Sequence, residues 1–380
     1  MKISFLTHGF AAWGGGVDFI KLLTSSVAAA PESAAAQMQI ILPTAEGDDG
    51  RTEAYFREYF SDLGDAFELT ASGPGYADQL TASMGYGADV VLPFMYLPPL
   101  EFDKIGPPWV GYLFDFQHRY HPQFFTEQDR RSRDYEAAWM LHRPRHVITN
   151  GQAVIDDTIR FFGEYPAEVH VLPFCPSPQP GWLESDEDVR AKYGLDRPYF
   201  MISNQFWIHK DHGTAFRAFA QFVQGGGDAL LVCTGEVTDY RFPNYFTQLQ
   251  ALLAELKIDT RVRILGRIPK LDQINLIKTA MAMVQPTLFE GGPGGGAAYD
   301  AIAVGTPVIA SDIPINREMD VGDVVYFAAG NPEALSAQMH ARSESAPSRP
   351  DNKSLWERGL ERRRRVGRMV LDLARQSMKG

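Results

Sequence analysis

Residues 281–318, MAMVQPTLFEGGPGGGAAYDAIAVGTPVIASDIPINRE, hold the densest set of side chains and glycines able to do chemistry. Met281 to Phe289 reads as a buried strand and ends at the carboxylate of Glu290. Gly291, Gly292, Pro293, Gly294, Gly295 and Gly296 follow, and Ala297 to Val304 opens an Ala-rich helix. Glu290 to Gly296 is therefore expected to turn at the carboxyl end of a strand, where open α/β sheets bind ligands. Without Cβ atoms, the glycines let successive backbone N–H groups point at an anion beside a helix N-terminus, and the expected anion is a phosphate. Glu290 and Asp300, the latter about one helical turn into the helix, flank the loop as carboxylates suited to hydroxyl groups. Phosphate on amides with hydroxyls on acids is the chemistry of a nucleotide sugar; a flexible glycine loop with two solvated acids is the alternative.

The elements that must position these groups alternate strand and helix, which implies parallel sheets. Lys2 to Thr7 is a first strand, followed by a glycine-bearing turn, Gly9 to Gly16, and a helix from Val17 to Ala29. Met38 to Leu42 and Val90 to Met95 are further strands. Trp109 to Phe125 runs from a strand into Asp115, Gln117, His118 and His121, polar groups just past a strand end. His118 and His121, spaced as HxxH, have no third ligand at metal-binding spacing. Arg143 to Thr149 leads through Asn150 and Gly151 into a helix, Gln152 to Phe162. Residues 173–198 concentrate prolines and charges and read as a linker with one short helix; Asp186-Glu187-Asp188 within it is a chance DxD match. Tyr199 to Ser203 starts a second sheet and runs into Asn204, Gln205 and Lys210, then a helix from Thr214 to Phe222. Ala229 to Thr234 and Val262 to Leu265 are strands, Leu271 to Ala280 is a helix, and Arg342 to Asn352 is a loose connection. Leu355 to Met378 is helical, with Arg362 to Arg365 read as a solvated face in preference to a lipid-binding one.

Of 380 residues, 45% are hydrophobic and 22% charged, the profile of a globular chain with enough bulk for two cores. A net charge of −11 argues against a nucleic-acid groove. Cys175 and Cys233 give neither a metal spacing nor a disulfide framework and read as core thiols in a reducing compartment. No run approaches the ~20 apolar residues of a transmembrane helix, so a cytoplasmic protein is expected, with peripheral contact at the inner face of a membrane as an option.

The acid, glycine-rich turn, second acid and Gly305-Thr306-Pro307-Val308-Ile309 resemble the signature of the family 4 (group 1) retaining glycosyltransferases of the GT-B fold. Two departures stand out: the family has Glu at both acidic positions with seven residues between them, whereas nine separate Glu290 from Asp300 here. The resemblance implies an α/β architecture of two Rossmann-like domains facing across a cleft. Residues 1–175 would bind the acceptor, 176–198 link, and 199–354 bind the nucleotide sugar, with the helix near 355–380 packing back on the first domain. It also implies residue roles: Glu290 on the donor sugar, Asp300 on the ribose, Gly294 to Gly296 on the phosphates, and Gly15 and Gly16 near the diphosphate. His118, in an Asp-x-Gln-His segment, would lie near the sugar, and His118, Glu290 and Lys210 make the catalytic set. Where the family has an Arg and, five positions later, a Lys, this chain has Gln205 and Lys210, beside Asn204; Arg267 is the candidate to supply the missing charge. The implied reaction moves a hexose, with GDP-mannose the favoured donor, to a saccharide or glycolipid acceptor in cell-surface polysaccharide assembly, with no cofactor and no metal. A catalytically inactive sugar-nucleotide-binding module, a GT-B epimerase or phosphorylase, and a dinucleotide oxidoreductase reading Gly292 to Ala297 as GxGxxA are the alternatives.

Overall fold

The computed structural model describes residues 1–12, 14–45, 50–345 and 349–379. It divides into two compact units: residues Met1–Cys175 with Leu360–Gly380, and residues Pro176–Gly359.

The first unit is built on seven parallel strands: β1 (Lys2–Leu6), β2 (Gln37–Leu42), β3 (Glu68–Ala71), β4 (Val90–Phe94), β5 (Trp109–Tyr112), β6 (His146–Thr149) and β7 (Glu168–Val171). Their spatial order is β3-β2-β1-β4-β5-β6-β7. Central strands such as β4, VVLPF, are buried along their whole length, as expected of parallel strands covered on both faces. Ile3, Phe5, Ile40, Val90, Leu92 and Val110 form the sheet side of the core. Ile20, Leu23 and Val27 of the helix Gly14–Ala29 and Val366, Val370 and Leu371 of the last helix, Asn352–Ser377, complete it.

The second unit carries β8 (Tyr199–Ser203), β9 (Leu230–Thr234), β10 (Val262–Gly266), β11 (Ala282–Gln285), β12 (Val308–Ser311) and β13 (Val324–Phe327). They are ordered β10-β9-β8-β11-β12-β13 and all pairs are parallel. This is the Rossmann order, with its topological switch between the first and fourth strands, β8 and β11. The helix His212–Gln224 buries Phe216, Phe219 and Phe222 completely against Phe200, Ile202 and Val284, each ring contributing about 2–3 kcal/mol of burial.

Several expected boundaries move. The strand expected over 281–289 ends at Gln285, because Pro286 has no N–H for the ladder. Helices begin inside both glycine stretches: at Gly14, so that Gly15 and Gly16 are first-turn helical residues, and at Gly295. Residue 13, within the expected 9–16 turn, lies outside the described residues. So do residues 346–348 of the expected connection, whose opening residues Arg342 and Ser343 instead close a helix, Pro332–Ser343. The 176–198 segment holds turns and one short 3-10 helix, Ala191–Tyr193. In it Asp188 pairs with Arg190 at 2.6 Å, while Asp186 is fully exposed. The arginine run is not wholly solvated: burial pushes the Arg363 guanidinium below its ordinary value, and Arg365 Nη2 donates to the Phe174 carbonyl at 3.3 Å. Both cysteines are free and buried, and burial pushes Cys175 up to about 11. Among the described residues, no helix is long and apolar enough to cross a membrane.

Candidate functional site

The switch between β8 and β11 places two loops side by side in the second unit. The β8 loop ends in a 3-10 turn, Ile208–Lys210, and the β11 loop carries Thr287 to Glu290. They are stitched together at the His209 carbonyl, which accepts from Leu288 N at 2.8 Å and from Thr287 Oγ1 at 3.2 Å. The loop after β9 joins them through the buried Asp239, whose Oδ2 accepts from Ile208 N at 3.1 Å and whose Oδ1 accepts from Arg241 N at 2.9 Å. Asp211 then caps the helix His212–Gln224 by accepting from Thr214 N. Burial raises its carboxyl above the ordinary value.

On this frame Lys210 and Glu290 meet. Lys210 Nζ donates to Glu290 Oε1 at 2.5 Å, with the two side chains 13% and 9% exposed. The same oxygen accepts from Gln285 Nε2 at 2.9 Å, and Gln285 Oε1 accepts from Asn204 Nδ2 at 2.7 Å. Four side chains, from the end of β11 and the loops that follow β8 and β11, thus form one connected polar network. Buried networks of this kind hold their members in one geometry because every broken bond leaves a desolvated group unpaired.

The glycine turn sits directly beside it. Gly294 N donates to Asn316 Oδ1 at 2.9 Å, and Asn316 is itself held by Ser311. Gly294 and Gly295 both have left-handed backbone, φ 67° and 62°. A Cβ on Gly295 would come within 3.1 Å of both Gln285 Nε2 and Glu290 Oε1, so a side chain here is strained by its left-handed backbone and also presses on two atoms of the network. Gly295→Ala is expected to cost about 1–2 kcal/mol of unfolding free energy, read from urea melts monitored by circular dichroism.

Asp300 lies in the helix Gly295–Ala303 and pairs with a residue that sequence reasoning missed: its Oδ2 accepts from Lys270 Nζ at 2.6 Å. Lys270 also stands 5.3 Å from the centre of the Trp182 ring. Gln285 and Asn316 were likewise missed. Gln285 has a legible signal, a polar residue closing an otherwise apolar strand, while Asn316 has none. Gln205 and Arg267 are exposed, and neither side chain has a hydrogen-bond or ion-pair partner among the described residues. Arg267 does not join the Lys210 network.

The remaining sequence candidates lie in the first unit. Gly15 is exposed and Gly16 buried in the first turn of Gly14–Ala29. His118 is interior, 2% exposed, with Nε2 at 2.8 Å from Asp134 Oδ1, an acid that also takes Arg119. Its Nδ1 has no partner among the described residues. His121 stacks on Phe124, and no described residues bring the HxxH pair into a metal-sized cluster. Asn150 Nδ2 donates to the Tyr112 hydroxyl at 2.6 Å.

Two Rossmann-like units, with a charged network and a glycine-opened helix at the switch point of the second, define the GT-B fold. Residues 185–352, less than half of the chain, match the family model described as Glycosyl transferases group 1. A sucrose-phosphate synthase from Thermosynechococcus elongatus has a TM-score of 0.67 at 17% identity, over 99% of this chain and 98% of that one. A glycosyltransferase from Rickettsia africae follows at 0.65 and 15%, covering 100% and 99%. Anabaena HepE, solved with UDP and glucose, gives 0.59 and 17%, covering 99% and 98%. No curated protein matches.

Proposed function

We propose that this protein is a retaining, metal-independent glycosyltransferase that moves a hexose from a nucleotide-diphospho-sugar to a saccharide or glycolipid acceptor, in cell-surface polysaccharide assembly. The observation that carries this reading is the Lys210–Glu290–Gln285–Asn204 network beside the Gly294–Gly295 turn at the β8/β11 switch. A diphosphate arriving at the helix N-terminus competes with Glu290 for the Lys210 ammonium. Glu290, still held by Gln285, is then released to accept hydrogen bonds from sugar hydroxyls. Asp300, steadied by Lys270, is the acid for the ribose. The donor C–O bond breaks with its electron pair going to the diphosphate, where Lys210, the glycine amides and the helix dipole stabilise the charge. The acceptor oxygen bonds to the same face of the sugar carbon, and its proton passes to the leaving phosphate oxygen. His118, Gly15 and Gly16 belong to the same proposal as groups of the first unit.

The test is a thermal-shift panel of UDP, GDP, ADP and dTDP with their sugars, in EDTA. Saturation at a hundredfold over Kd stabilises by about 2.7 kcal/mol, so one nucleotide is expected to raise the Tm of the unit that binds it by roughly 5–10 °C. GDP is the favoured base, and UDP is the other leading one, since HepE was solved with it. Stabilisation by NAD(H) and by none of the four overturns the reading. The exposed Gln205, standing where the family has an Arg, favours a second reading, an inactive sugar-nucleotide module, which predicts binding without release of nucleotide on adding acceptors.

A further inference from the structure

The first unit carries a cluster that the proposed reaction does not use. His146 opens β6, and β7 pairs with it in parallel so that His146 lies opposite Glu168 and Ile148 opposite His170. Side chains two apart share a face of a strand, so His146, Glu168 and His170 project from one face at the sheet's edge, where β7 is the terminal strand. They lie toward the amino-terminal ends of these strands, away from the carboxyl ends where α/β sheets bind substrates.

Their donor atoms converge. His146 Nδ1 is 3.1 Å from His170 Nε2 and 3.8 Å from Glu168 Oε2, and one donor atom from each of the three lies within 4.8 Å of the others. Ligands about 2.0–2.1 Å from a tetrahedral zinc stand roughly 3.3–3.4 Å apart, so the observed separations bracket what a bound ion needs. The His146 side chain is 1% exposed and fixed in place, whereas the Glu168 side chain is 55% exposed and can swing onto an ion. His146 Nε2 is buried with no partner among the described residues. A proton on that nitrogen leaves the Nδ1 lone pair directed at the cluster. Arg145 Nε, 3.5 Å from Glu168 Oε1, is the neighbouring cation and would have to yield the carboxylate.

We propose that His146, Glu168 and His170 bind one divalent transition metal of the zinc class, which clips the edge strand β7 to β6. Two imidazoles and a carboxylate are the donor set that zinc, cobalt and nickel take in preference to magnesium or calcium. Three protein ligands at a solvent-facing edge leave a fourth position for water.

The test uses the untagged full chain, stripped with EDTA and desalted, titrated with Zn2+ by calorimetry and with Co2+ by visible absorption. One equivalent is expected to bind, with a d–d spectrum of tetrahedral cobalt and a rise in Tm on adding Zn2+. His170→Ala is expected to weaken binding by more than about tenfold, since losing even an outer-shell partner costs roughly 10–100-fold, and Glu168→Gln by about tenfold. Both residues are at least partly exposed, and an unchanged metal-free Tm in the two variants confirms that they fold. No stoichiometric uptake by the wild type, or equal affinity in His170→Ala, overturns the site.

Discussion

Lys210→Ala is expected to lower kcat by about 10²–10³-fold. Lys210 is the ammonium placed at the β8/β11 switch, and no helix dipole or amide replaces a full charge on a departing diphosphate. The same substitution also harms the fold. Lys210 and Glu290 are 13% and 9% exposed and 2.5 Å apart, and stripping one partner from a buried pair leaves a charge that costs about 3–5 kcal/mol. Lost activity alone therefore cannot separate a catalytic ammonium from a structural one. The double variant Lys210→Met/Glu290→Gln, read against Glu290→Gln alone, does so, because it removes both charges while the Glu290 position keeps a group able to bond Gln285, and the single variant shows what loss of the Glu290 carboxylate costs by itself. The double variant's unfolding free energy is expected to return to within about 1 kcal/mol of wild type, the coupling between contacting residues making the two losses non-additive. Its turnover is expected to stay as low as that of Lys210→Ala. A double variant with wild-type kcat would leave Lys210 only a structural role.

What was legible in the sequence follows from burial. Strands covered on both faces, β1, β4, β8, β9 and β11, announce themselves as apolar runs. Three edge strands, β3, β7 and β13, do not: most of their residues are only half-buried, β3 and β7 mix polar with apolar types, and β13, VVYF, is an apolar run of only 4 residues. The site divides in a similar way. Lys210, Glu290 and the glycines could be read because an acid or lysine just past a strand end has a conspicuous local context. Lys270 and Asn316 could not, since their partners, Asp300 and Gly294, are 30 and 22 residues away in the chain. Helix boundaries erred at the glycines for a physical reason: a glycine signals freedom at φ > 0, yet Gly295 has φ 62° while already opening a helix. Gln285 shows the reverse case, a polar residue in a buried strand whose Nε2 donates to Glu290 Oε1.

Lowering the pH from 7 to 5 is expected to cost the second unit about 2 kcal/mol through His212 alone. His212 opens the helix behind Lys210, is 0% exposed, and stacks on Phe206 at 4.1 Å. Neither ring nitrogen has a partner among the described residues. Burial, aided by the nearby Lys210 ammonium, holds its value down to about 3 against an ordinary 6.5. The unfolded chain takes up a proton as the pH falls below 6.5, whereas the native state refuses it until about 3. Stability is therefore intact above the unfolded value and drains away below it, at about 1.4 kcal/mol per pH unit. His212→Phe removes the proton site, fills the space between Phe206 and Phe216 with a third ring, and leaves no unpaired polar atom behind. Other groups titrate in the same window, so the quantity that decides is the difference in unfolding free energy between wild type and variant, taken from urea melts at both pH values. That difference is expected to shift by about 2 kcal/mol in favour of His212→Phe at pH 5. Parallel pH dependences in the two proteins would mean that His212 accepts its proton in the folded state as readily as in the unfolded one, and that the cavity around it admits water.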